Sequence, residues 1–214
     1  MHYFIDFLKS LYNAERLLEF VRMLLASPLG LAGLFAIVFA ETGLLVGFFL
    51  PGDSLLFSVG VASGATSLNV YVLAGMLMCA AILGDNIGYA LGYHAGPRIF
   101  SRPKSRFFHP DHLQRTRDFY LKYGARALVY ARFIPIIRTC APFVAGVGRM
   151  RYSRFLFFSL FGGIFWIAFM TTLGYQLGQI PIVRRNFEKV VLAIVLLSVV
   201  PVILEARRKR VAAV

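Results

Sequence analysis

Acidic side chains are scarce in this chain: ten aspartates and glutamates stand against 23 lysines and arginines across 214 residues, a formal net charge of +13. Two cysteines, Cys79 and Cys140, and one tryptophan are all it has of those types. Both cysteines fall in apolar surroundings with no metal-ligand spacing, which excludes a disulfide scaffold or zinc module and leaves inert packing residues. No nucleophile–base set and no phosphate-gripping glycine loop occurs, so the expectation is a protein that is not an enzyme and needs no cofactor or metal. The start of the chain lacks the basic region, compact apolar segment and small-residue site of a removable signal peptide.

What it has in excess is hydrocarbon. The chain is 58% hydrophobic with a mean hydropathy of +0.70, outside the range of ordinary soluble domains. Uncharged stretches run Leu55–Gly84 and Phe155–Val183, each longer than the roughly 20 residues a membrane-crossing helix needs. An all-α integral membrane protein follows. The positive charge clusters in one loop (Arg98, Arg102, Lys104, Arg106, Arg115, Arg117, Lys122, Arg126), at Arg149, Arg151 and Arg154, and at Arg207-Arg-Lys-Arg210. Cytoplasmic loops collect such residues, so topology is its main expected cause, with attraction to anionic headgroups second. Nucleic acid is a poor third, because no binding motif accompanies the charge.

Apolar residues at helical spacing over 3–25, with Asp6, Lys9, Arg16, Glu19 and Arg22 between them, predict an amphipathic N-terminal segment ending near residue 28. Val70–Gly96 and Phe155–Gly178 read as full spans, the first ending at Gly96-Pro97, and residues 187–206 as a C-terminal transmembrane helix. Between the spans, the basic loop 97–126 holds one polar helix from His109 to Tyr123; His109 and His112 there suit a capping turn better than a metal. Their basic charge puts loop 97–126, Arg149 to Arg154 and the C-terminus on the cytoplasmic side, so the last two spans form a hairpin. Segment 127–148 then has to enter and leave on that side, a re-entrant hairpin broken at Pro135, Pro142 and Gly146.

The first half repeats this plan. Leu91-Gly-Tyr-His-Ala-Gly96 echoes Leu173-Gly-Tyr-Gln-Leu-Gly178, and Glu41 precedes Pro51 by the distance at which Arg132 precedes Pro142. Since Val70–Gly96 ends on the side where Phe155–Gly178 starts, residues 29–96 and 127–178 read as inverted repeats of a re-entrant hairpin plus a transmembrane helix.

Ionisable groups in hydrocarbon cost about 2.5–3.5 kcal/mol each on insertion scales and mark pathways, relays or ligand sites. Glu41 is one, and a carboxylate withdrawn from water can exchange its proton near physiological pH. Asp53 follows the Pro51-Gly52 break, where it could also cap the amides of Ser54, Leu55 and Leu56. Arg132 and Arg138 would point roughly 120° apart on an unbroken helix; Pro135 between them allows convergence. Guanidinium suits phosphate or carboxylate, so the arginines either bind an anionic ligand or pair with the two acids, and both readings stand. Asp85, in Gly84-Asp-Asn-Ile-Gly-Tyr89, is a secondary polar site. Trp166 reads as packing or an interface anchor.

Glu41 leading to Pro51-Gly-Asp53, Gly84-Asp85 with Gly88-Tyr89, and Arg132-Phe-Ile-Pro135 continuing to Arg138 and Pro142-Phe-Val-Ala-Gly146 together resemble the DedA family of bacterial membrane proteins, also called the SNARE-associated or VTT-domain family. The likeness spans about residues 35–180. It implies two oppositely oriented re-entrant hairpins, with an acidic pair (Glu41, Asp53) for proton coupling and an arginine pair (Arg132, Arg138) for a lipid phosphate. The implied activity is a lipid flippase or scramblase of the inner membrane driven by the proton motive force. Its implied substrate is undecaprenyl phosphate or a phospholipid. A proton-coupled exporter of small cations or drugs, and a non-transporting envelope-assembly scaffold, are the rival readings.

Overall fold

The computed structural model describes residues 14–44, 52–64, 66, 68–100, 135–186, 189, 190 and 193. Seven helices are assigned within them: α1 (Ala14–Leu25), α2 (Pro28–Gly43), α3 (Gly52–Ser63), α4 (Val70–Phe100), α5 (Pro135–Val147), α6 (Tyr152–Gly178) and α7 (Pro181–Arg185). Arg132, Pro51, residues 3–13, the 101–126 portion of the basic loop and nearly all of the last expected span lie outside the described residues.

Among the described residues two helices, over Val70–Gly96 and Tyr152–Gly178, are long and apolar enough to cross a membrane. Both turn apolar side chains outward: Leu83, Ile87 and Leu91 on α4, and Phe157, Phe161, Ile164, Phe165 and Phe169 on α6 are exposed. Those residues recur at helical spacing. A broad bare hydrocarbon face of this kind is costly in water and suited to lipid.

The chain divides into two compact units. One comprises residues 1–37, 49–78 and 165–214, the other 38–48 and 79–164. In the first, α1 follows the helical spacing of its sequence: Leu17, Val21 and Leu25 are buried while Arg16, Glu19 and Arg22 stay exposed. Leu18 packs on a cluster built around Phe57 and Val61 of α3, with Leu173 and Leu177 of α6. Ser27 caps α2 by accepting the Gly30 amide at 3.0 Å, with Pro28 at the first helical position, where its missing N–H costs nothing.

Each unit is closed by glycines that let helix backbones touch. In the first, a Cβ at Gly60 would strike Thr171 and Tyr175, one at Gly174 would strike the Phe57 carbonyl, and Gly178 lies on Val61. In the second, Gly146 lies on Tyr89 and Tyr93, Gly92 on the Phe143 carbonyl and Gly96 on Val147. The two sets correspond residue for residue: Phe57, Gly60 and Val61 with Phe143, Gly146 and Val147, against two Gly-Tyr-x-x-Gly segments. Small residues of this kind are how membrane helices approach closely when hydrophobic burial offers no drive.

Two boundaries differ from expectation. Helix α4 does not end at Gly96-Pro97 but continues to Phe100. Proline disfavours helix in its predecessor through clashes with that residue's N–H and Cβ, and the predecessor here is glycine, which has no Cβ. Pro142 and Gly146 do not break the second hairpin segment: α5 runs unbroken from Pro135 to Val147 with Pro142 inside it. Pro135 does start a helix, where proline is tolerated, while Pro142 brings no N–H to the Arg138 carbonyl four residues earlier.

Candidate functional site

In the second unit, the last turn of α2 carries Glu41 and the first turn of α5 carries Arg138. The Arg138 guanidinium donates through Nη2 to Glu41 Oε1 at 2.5 Å, and the side chains are only 7% and 1% exposed. The backbone explains how the acid gets there. A Cβ at Gly84 of α4 would strike Thr42 and the Phe39 carbonyl, and Gly43 in turn sits on Gly84. Glycine at both places lets the end of α2 lie on α4, and Thr42 turns its hydroxyl back to the Val38 carbonyl at 3.0 Å. Withdrawal of two charges from water is offset only where geometry and hydrogen bonding are good, and a removed partner leaves a costly lone charge.

A second carboxylate lies in the same unit. Asp85 is 2% exposed and accepts a 2.5 Å hydrogen bond from Ser159 of α6. Next to it, Asn86 accepts from the Tyr152 hydroxyl at 2.7 Å, and one turn on, Tyr89 donates to the Met150 carbonyl at 2.5 Å. Asp85, Asn86 and Tyr89 therefore form one polar edge of α4.

The first unit holds Asp53 in the first turn of α3. It sits inside the helix rather than at the cap position expected for it, since α3 already begins at Gly52. Its Oδ1 accepts the indole N–H of Trp166 at 2.9 Å, and both residues are buried. Among the described residues no group of three His, Cys, Asp or Glu side chains converges as metal ligands would.

Comparison with known proteins places the chain among its relatives. The family model described as the VTT domain matches residues 50–176. The chain is 42% identical over 183 residues to Protein DedA of Escherichia coli, covering 84% of each chain. The chain belongs to the DedA family. It is also 44% identical over 180 residues to an uncharacterized membrane protein of Mycobacterium tuberculosis, 83% of this chain and 79% of that one. Against the inner membrane protein YqjA of Escherichia coli it is 37% identical over 169 residues, 78% and 76%. No solved structure matches it.

For this DedA-family chain, sequence reading picked out Glu41, Asp53, Asp85 and Arg138, all of which are buried. It missed the partners Trp166 and Ser159. Both carried a signal: Trp166 is the chain's lone tryptophan, and Ser159 is one of the few hydroxyls in an aromatic-rich span. What sequence could not supply was the long-range pairing, across 113 residues for Trp166 with Asp53 and 74 for Ser159 with Asp85.

Proposed function

We propose that this protein moves a phosphorylated lipid across the bacterial inner membrane, coupled to protons, and that the lipid's phosphate displaces Glu41 from Arg138. The observation that carries this reading is the buried Arg138–Glu41 pair. An arginine in a protein keeps its charge at any physiological pH. When Glu41 takes a proton, Arg138 loses that ion pair and can turn to another anion, and a lipid phosphate is one that reaches membrane depth on its own hydrocarbon. Proton uptake at Glu41 and phosphate capture at Arg138 are then two sides of one exchange. Family membership supports the reading, as do the names of relatives in the membrane.

Within it, undecaprenyl phosphate is the substrate, recycled from the outer leaflet to the inner for envelope synthesis. Arg132 is the second phosphate ligand and Asp53 the second proton-coupled acid. The two Gly-Tyr-x-x-Gly units act as inverted repeats, each with a re-entrant hairpin, and the basic segments lie in the cytoplasm.

The test is transport by purified protein in liposomes with and without a pH gradient, prenyl phosphate being compared with phospholipid. The parent should move prenyl phosphate faster under the gradient. Glu41→Gln should move it at a rate that ignores the gradient, and Arg138→Ala should not move it at all. Parent-like transport by both variants would falsify the proposal. An exporter of small cations would instead leave Arg138→Ala nearly silent.

A further inference from the structure

We propose that the turn joining α5 to α6 is a binding site for the phosphate of an anionic phospholipid headgroup. The turn closes as a Schellman motif: the Arg149 amide bonds the Gly146 carbonyl at 2.9 Å and the Met150 amide bonds the Ala145 carbonyl at 3.0 Å. That motif needs a left-handed residue at the position Arg149 occupies, and glycine usually supplies it. Arg149 holds φ 53°, the one positive φ outside glycine among the described residues. A side chain kept where its backbone is strained points to a use for that side chain, and Gly148, one residue earlier, shows that the chain carries glycine right beside it.

The surroundings say what the use is. The Arg149 guanidinium lies 5.4 Å from the centre of the Tyr93 ring, a cation–π contact that orients it without neutralising it. Arg151 and Arg154 follow at once, and all three are exposed. Among the described residues none of the three has an ion-pair partner, and the sequence places no Asp or Glu between Asp118 and Glu188.

The turn is also held rigidly. Met150 packs on the cluster of Tyr89, Ala141, Ala145 and Phe155, the Tyr89 hydroxyl bonds the Met150 carbonyl, and the Tyr152 hydroxyl bonds Asn86. Its place in the fold fixes the partner class. Tyr93 lies near the end of one membrane-length helix and Tyr152 begins the other, so the arginines stand where hydrocarbon gives way to headgroups, with tyrosines in the positions favoured at that boundary. Three guanidiniums with no ion-pair partner among the described residues, on a fixed frame there, fit a phosphodiester. This site is independent of Arg138 and of the transport reading.

The experiment uses the full chain in bilayers and photoactivatable phosphatidylglycerol or phosphatidylcholine, with crosslinks mapped on chymotryptic peptides. The turn 148–154 should crosslink phosphatidylglycerol over phosphatidylcholine by a ratio on the order of fivefold above that of the lipid-facing stretch Phe157–Phe169. Arg149→Gly should lower that excess, and Arg149→Gly combined with Arg151→Ala and Arg154→Ala should abolish it. Arg149→Gly should melt no lower than the parent in phosphatidylcholine, since glycine suits the left-handed position. The proposal is overturned if the parent turn shows no such excess, if the triple variant keeps it, or if Arg149→Gly melts lower. It is also overturned if millimolar inorganic phosphate abolishes the crosslink, because the site would then take a free anion rather than a headgroup.

Discussion

The two units use one scaffold to hold their charges in different company. In both, a short helix lies on a Gly-Tyr-x-x-Gly segment through matching phenylalanine, glycine and valine contacts. The register that matches Phe57 with Phe143 also matches Gly52 with Arg138 and Asp53 with Thr139. At the start of α3 the buried ionisable group is an acid facing an indole N–H. At the start of α5 it is a base facing a carboxylate. The helix packing is therefore general, and the chemistry is written by one or two residues in the first turn. Asp53 accepts from a neutral donor, whereas Arg138 and Glu41 form a charge pair that protonation of the acid would weaken.

The strongest way to break this contrast is to remove the base. Arg138→Ala leaves Glu41 buried without that partner and should destabilise the protein by about 3–5 kcal/mol, read as a fall in melting temperature in detergent. Arg138→Met combined with Glu41→Leu, which removes both charges, should recover most of that loss while transport stays absent. If the double variant is no more stable than Arg138→Ala, the pair is not the electrostatic unit described.

The next test is of the shared scaffold. Gly174→Ala and Gly92→Ala each drive a methyl into a phenylalanine carbonyl of the partner helix and should each cost about 3 kcal/mol, the upper range for overpacking. Equal losses in the two variants would sharpen the correspondence between units. A loss in one and none in the other would break it.

That correspondence shows what could be read in the sequence and what could not. The Leu-Gly-Tyr echo was legible because close helix contact restricts residues to glycine whatever the surroundings. Proline suggested a different alignment, Pro51 with Pro142, and there the reading of a break failed: Pro142 lies inside α5, where its missing N–H concerns a single carbonyl. Buried charges were legible too, since Glu41, Asp85 and Arg138 interrupt apolar runs where water is the only cheap alternative to a partner. Pairing was half-legible. Opposite charge makes Arg138 a natural partner for Glu41, but nothing in an indole announces that its N–H will meet Asp53.

Trp166→Phe tests that contact directly. It keeps an aromatic ring, smaller than the indole, and deletes the donor, so the protein loses the hydrogen bond to Asp53, worth about 2 kcal/mol, and some packing with it. Because Trp166 is the chain's single tryptophan, the parent's intrinsic fluorescence reports on the same contact. Asp53→Asn should shift the emission, while Glu41→Gln, in the other unit, should leave it unchanged. An emission shift of equal size in both variants would mean that the two carboxylates are not separately held.

The smallest effect separates the units at one matched position, Tyr89 and Thr171. Gly146 lies on Tyr89 as Gly60 lies on Thr171, yet the two hydroxyls do different things. Tyr89 reaches the Met150 carbonyl, 61 residues away, and ties down the turn. Thr171 bonds the Ile167 carbonyl one turn back in its own helix at 2.6 Å, a carbonyl that the helix ladder already engages. Tyr89→Phe should therefore cost about 1 kcal/mol, the net worth of a neutral hydrogen bond. Thr171→Val, which keeps the shape and loses only a redundant acceptor contact, should cost less than about 0.5 kcal/mol. Urea or thermal unfolding of the two variants side by side resolves the difference. A Thr171→Val loss as large as that of Tyr89→Phe would mean that the hydroxyl on α6 holds the first unit together in a way its local bond does not explain.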